Sequence, residues 1–108
     1  MARYLIQVSY SQQGIADLVK TPQDRAEAVR PVIERMGGRL VSFDYAFGDY
    51  DVVVIAEAPD NVTAAALAMA IGASGATTAY KTTVLLSMEE AMEAMRKATS
   101  MGYRPPGG

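Results

Sequence analysis

The sequence contains no cysteine, no histidine and no tryptophan, and only two phenylalanines among its 108 residues. Without cysteine or histidine, zinc sites of the usual ligand types, Cys-His and Ser-His-Asp nucleophiles, haem ligation and disulfides are excluded. Any chemistry must rest on Asp, Glu, Lys, Tyr, Ser or the backbone, and neither a cofactor nor a metal is expected. A strong charge of one sign is also missing. Ten Lys and Arg face 12 Asp and Glu, a net charge of −2 with no basic stripe or acidic tail, which argues against nucleic acid as a partner. Long apolar runs are missing too. The longest weakly polar stretch, Ala64 to Ala76, is mostly alanine and glycine and falls short of the ~20 apolar residues of a membrane span. The opening MARYLIQVSY lacks the core of a signal peptide, so a cytoplasmic location is expected. The missing cysteines fit any redox compartment.

What is present is enough for one core. Half of the residues are apolar or aromatic; 18 are alanine, leaving 36 larger side chains. That supports a single domain over residues 1–100, followed by a loose tail over 101–108.

Period-two alternation of Tyr4, Ile6, Val8 and Tyr10 against Leu5, Gln7 and Ser9 predicts a first strand, Arg3 to Tyr10. A short helical turn, Ile15 to Val19, precedes a helix from about Pro22 to Met36, whose Ala26, Val29, Ile33 and Met36 share a face. Pro31 should kink it. Gly37 and Gly38 stop the helix and lead to a strand over Arg39 to Phe47. Gly48-Asp49 reads as a two-residue type II′ hairpin turn into a third strand, Asp51 to Glu57. An alanine-rich helix, Asn61 to Ile71, a strand, Thr77 to Leu86, and a last helix opened by the Ser87-x-x-Glu90 capping box complete the chain. Arg96 and Lys97 suit the negative end of that helix.

The order β-α-β-β-α-β plus a terminal helix is the split βαβ of an α+β, ferredoxin-like fold, with strand order 4-1-3-2 and both crossover helices on one sheet face. A turn at Gly48-Asp49 would pair Phe47 with Tyr50, Tyr45 with Val52 and Phe43 with Val54, gathering these with Val41 and Ala56 beneath the helices. The other face would collect Leu40, Ser42, Asp44, Ala46, Asp51, Val53, Ile55 and Glu57, with Leu5, Gln7 and Ser9 from the first strand and Thr77, Ala79, Lys81, Thr83 and Leu85 from the last. A half-apolar face of that size invites burial against a second copy by two-fold symmetry, and its polar residues would then be paired, wet or lining a cavity. A homodimer is therefore expected, extending to a higher oligomer if further surfaces associate.

The run FGDYDVVVIAEAPD at 47–60, with YLIQVSYSQQGI and RMGGRLVSFDYAFGDYD before it, resembles the GYD domain family of small bacterial and archaeal proteins. That family is named for a glycine, a tyrosine and an aspartate at this hairpin, here Gly48, Tyr50 and Asp51. The resemblance covers about residues 3 to 95. It implies a subunit of the dimeric α+β barrel superfamily and no assigned activity. Relatives in the wider superfamily include cofactor-free monooxygenases, muconolactone isomerases, chlorite dismutase-like haem proteins and ligand-sensing domains. The haem branch relies on a proximal histidine, which this chain lacks.

Gln7, Ser9, Ser42, Asp44, Asp51, Lys81 and Thr83 are the expected ligand-binding residues, all on the free face. In one reading they line a cavity between two sheets that takes a small, partly apolar metabolite. In a second, Asp44 or Asp51 is the base of a cofactor-independent isomerase or monooxygenase. In a third, the face is a dry contact of a structural assembly, with Asp44 and Lys81 in salt bridges across it. Asp49 reads as a solvated turn residue, Asp51 points to the free face, and Met88, Met92 and Met95 read as core or dimer packing. Gly72-Ala73-Ser74-Gly75 follows a helix and lacks the Lys of a phosphate loop.

Overall fold

A computed structural model describes residues 1–107; Gly108, the last residue of the tail expected to be loose, lies outside the described residues. Strand β1 runs Ala2–Tyr10, β2 Arg39–Tyr45, β3 Val52–Ala58 and β4 Thr77–Leu85. Helices α1 (Gln12–Lys20) and α2 (Arg25–Arg35) follow β1, α3 (Asn61–Ala73) joins β3 to β4, and α4 (Met88–Thr99) follows β4. The strands form one antiparallel sheet in the order β2-β3-β1-β4. This is the ferredoxin-like α+β arrangement, with the strand order that the sequence predicts.

Side-chain caps set the helix starts. Ser11 Oγ accepts the Gly14 N–H at 3.0 Å and makes α1 a full helix where the sequence suggested only a turn. Asp24 caps α2 by accepting the Glu27 N–H at 3.2 Å, so Pro22 lies outside the helix. The helix continues through Pro31. Asp60 caps α3 through the Thr63 N–H at 2.8 Å, and the Ser87–Glu90 box forms reciprocally at 2.9 and 3.1 Å. Arg96 and Lys97 occupy the last turn of α4.

Helix ends are held close to the sheet by glycine. Gly37, at φ +82°, ends α2 in a conformation that other residues avoid. A Cβ on Gly38 would stand 2.3 Å from the Glu57 carbonyl oxygen.

The core lies between the sheet and α2 with α3. It is built from Tyr4, Ile6 and Val8 of β1, Val52, Val54 and Ala56 of β3, and Ile33, Leu40, Ala64 and Leu67. Tyr4, 2 % exposed, keeps its phenol satisfied by donating to Asn61 Oδ1 at 2.6 Å, which ties the central strand to the start of α3.

Two expectations about the β2–β3 hairpin are corrected. The pairs Phe43–Val54 and Tyr45–Val52 form, but the register shifts between Leu40 and Ser42, so Leu40 and not Val41 pairs with Ala56. Leu40 turns inward at 5 % exposure and Val41 outward at 38 %, which exchanges the faces expected for them. The type II′ turn is absent as well. The strands stop at Tyr45 and Val52, the Ala46 N–H donates to the Asp51 carbonyl at 2.8 Å, and Gly48 does not have the positive φ that a type II′ turn requires. Phe47 consequently stands fully in solvent instead of closing the core.

Helix α4 leaves the body of the fold. All of its residues are exposed except the half-buried Ala91, and Met88, Met92 and Met95 form an exposed apolar stripe. With the tail it gives a radius of gyration of 17.5 Å, against the roughly 13 Å of a compact chain of this length. No helix is long and apolar enough to cross a membrane, among the described residues.

Candidate functional site

The ladder pairings sort the free sheet face into transverse rows. One reads Asp44–Val53–Gln7–Lys81 from β2 to β4, and the next Ser42–Ile55–Leu5–Thr83. The third is Arg39–Glu57–Arg3–Leu85. Gln7, Ser42, Asp44, Lys81 and Thr83 thus lie together on one face, as expected, with Ser9 paired to Ala79 beside them. Asp44 and Lys81 are three strand spacings apart, roughly 14 Å, and form no ion pair among the described residues. Asp44, Lys81 and Thr83 are exposed, while Gln7, Ser9 and Ser42 are half-buried. Asp44 therefore stands in solvent.

Asp51 behaves differently. Its backbone N–H donates to the Val8 carbonyl at 2.9 Å, and its carboxylate Oδ2 accepts the Tyr10 N–H at 2.9 Å. The carboxylate takes the place of a backbone acceptor where β1 runs past the end of β3 and its own register with β4 shifts between Ser9 and Tyr10. One oxygen of this candidate base is committed to holding the strand.

Glu57 holds the far end of the face. Arg39 Nε binds its carboxylate at 3.0 Å and Arg3 approaches at 3.8 Å, and the Arg39 hydrogen bond leads in lowering its pKa. No cluster of three or more acidic side chains capable of holding a metal ion occurs among the described residues.

The opposite side of the sheet carries a cavity that the sequence reading missed. It has a volume of about 330 Å³ and lies between the sheet and helices α2 and α3, lined by Val8, Val29, Phe43, Val54, Ile71 and Tyr80 among others. Arg25, the first residue of α2, and Tyr10, at the end of β1, line it as well. Burial pushes the Tyr10 pKa up to about 12, reinforced by the Tyr45 phenol and opposed by the Arg25 guanidinium. Burial likewise pushes Tyr80 up to about 12, and its hydroxyl is buried with no hydrogen-bond partner among the described residues.

A family model, the GYD domain, matches residues 4–95, which takes in the sheet from Tyr4 onward and most of α4. The chain belongs to the GYD domain family. No curated protein matches it. In this GYD domain the residues of the signature divide their work: Asp51 anchors β1, Tyr50 is half-buried, and Gly48 is exposed with nothing within 4 Å of where a Cβ would stand. The cavity of the GYD domain left little trace in the sequence. Its lining residues alternate along strands or recur along helices as core residues do, and only an arginine at a helix start facing a tyrosine on a strand end marks it.

Proposed function

We propose that the protein is a homodimeric small-molecule-binding module, its two sheets facing each other across a two-fold axis parallel to the strands. The observation that carries this reading is the self-complementarity of the rows. Rotation about such an axis keeps each row at its height and reverses its order, so Asp44–Val53–Gln7–Lys81 meets its own reverse. Each Asp44 then stands over the Lys81 of a second copy, each Val53 over a Gln7, and each Ile55 over a Leu5. In the third row Glu57 stands over an Arg3. Opposite charges meet at Asp44 with Lys81 and at Glu57 with Arg3, Ile55 meets Leu5 between them, and Arg39 meets Leu85, which suits a contact between aligned sheets. Gln7, Ser9, Ser42 and Thr83 supply hydrogen-bonding groups to the space between the sheets, which suits a small, partly apolar metabolite. The unpartnered methionine stripe of α4 gives each copy a further apolar surface for the other.

Native mass spectrometry of gently purified protein tests both parts. A dimer with added mass supports the reading, a dimer of bare mass removes the retained ligand, and a monomer overturns the assembly. Charge reversal tests the axis: Asp44→Lys alone should weaken the dimer, and Asp44→Lys with Lys81→Asp should restore it. Failure of the double variant to restore it would exclude this pairing.

A further inference from the structure

The cavity between the helices and the sheet lies on the opposite side from the proposed dimer contact and stands on its own observations. Its volume of about 330 Å³ falls within the range of small-molecule sites. Most of its wall is aliphatic or aromatic, from Val29 of α2, Val54 of β3, Phe43 of β2 and Ile71 of α3. A void of this size forfeits the packing contacts of every side chain around it, and an apolar wall does not hold water well. The space is suited to an apolar body.

The polar side chains of the wall are Arg25, Tyr10, Tyr80, Ser74 and Thr77, and Ser74 Oγ is already spent donating to the Ile71 carbonyl at 2.6 Å. Arg25 is half-buried, and no carboxylate lies within 4 Å of its guanidinium among the described residues. It donates to Gln23 Oε1 at 2.9 Å and lies close enough to the Tyr10 phenol to act on its ionisation. Asp17 borders an adjoining groove of about 170 Å³ together with Arg25, but its carboxylate accepts from Gln13 Nε2 at 2.8 Å. The Tyr10 phenol stays protonated at neutral pH and can donate. Tyr80 pairs with Val8, one core-face row in from Tyr10, and brings the unpartnered hydroxyl. A single guanidinium with neutral phenols matches a planar monoanion that accepts two parallel N–H bonds. A phosphate, with more charge and more acceptor oxygens, would leave most of them unanswered.

We propose that this cavity binds a small monocarboxylate with an apolar body, its carboxylate on Arg25 and Tyr10 and its body between Val29, Phe43 and Ile71. The site is complete within one chain and does not depend on the dimer.

The test uses octanoate and octanol, which share a chain and differ in the head group, titrated into the full-length protein by calorimetry and followed by amide chemical shifts. Octanoate should bind with shifts at Val29, Ile71 and Tyr80, and Arg25→Gln should weaken it about tenfold or more while leaving octanol unchanged. Arg25→Lys should fall between the two. Ala70→Phe, which adds a ring to the cavity wall, should remove both probes and shows that the site is the one occupied. Equal binding of octanoate and octanol in wild-type and Arg25→Gln proteins would overturn the carboxylate assignment. Binding of neither probe, or shifts confined to Leu5, Gln7 and Val53 on the other face, would overturn the site itself.

Discussion

The carboxylate of Asp51 accepts the backbone N–H of Tyr10 at 2.9 Å, so a side chain on the β2–β3 connection completes the hydrogen bonding of the central strand. Asp51→Ala leaves that amide without its charged acceptor and should destabilise the fold by roughly 1–2 kcal/mol. Asp51→Asn keeps a neutral acceptor and should cost less. Urea denaturation gives the loss, and hydrogen exchange at the Tyr10 amide locates it. An unchanged exchange rate in Asp51→Ala would show that the carboxylate does not hold the strand.

The two hairpin-side glycines should respond oppositely to alanine. A Cβ on Gly38 would press on the Glu57 carbonyl at 2.3 Å and on Ile33, so Gly38→Ala should cost about 2–3 kcal/mol. Gly48 has open space around it and no positive φ, so Gly48→Ala should be neutral or stabilising by up to about 1 kcal/mol. Comparison of the two denaturation midpoints checks both.

The bulge in β2 makes a similar contrast between neighbours. Leu40 is in the core and Val41 is not. Leu40→Ala should cost about 2–5 kcal/mol, and Val41→Ala about 1 kcal/mol or less. The reverse ranking would mean that the strand lacks the register shift.

Acid should destabilise the protein through three carboxylates. Glu57 is held low chiefly by the Arg39 hydrogen bond, Asp60 by bonds from Thr63, and Glu90 by bonds from Ser87. A carboxyl with a folded pKa below its unfolded one stabilises the fold fully above the unfolded value and loses that contribution as pH falls through the folded one. The denaturation midpoint should therefore decline as pH falls below the ordinary carboxylate range of about 4. Arg39→Gln should flatten that decline, since Glu57 then loses its main partner.

Alkali acts through the phenols. Tyr10 and Tyr80 ionise near 12 in the fold, against about 10 in an unfolded chain. The unfolded state releases those protons first, so stability should fall as pH rises between these values. Ultraviolet titration of the tyrosines should resolve a late-titrating group that shrinks in Tyr80→Phe. The same substitution removes the unpartnered hydroxyl and should not destabilise the fold.

Much of the fold could be read from local pattern. The alternation of Tyr4, Ile6 and Val8 gave β1 and its buried face, and the Ser87–Glu90 box gave the start of α4. The hydrogen bonds that define these features join residues close in sequence, or repeat with the period of the element itself. The free face was legible for the same reason. Once β1, β3 and β4 alternate, Gln7, Lys81 and Thr83 can only share a side, and the parity of Ser42 and Asp44 follows from their pairing with Ile55 and Val53.

Three things were decided only by the tertiary structure. Leu40 and Val41 are both apolar, so periodicity could not say which one the bulge turns inward; the register shift that pairs Leu40 with Ala56 puts Leu40 in the core. Asp51 reads in the sequence as the first residue of a strand, facing the free side, and only the meeting of β1 with the end of β3 gives its carboxylate the Tyr10 amide. The cavity is a volume set by how far α2 and α3 stand from the sheet, and Arg25 and Tyr10 reach it from segments that nothing local connects. Sequence determines what repeats along the chain, and the fold alone determines the space left where distant segments meet.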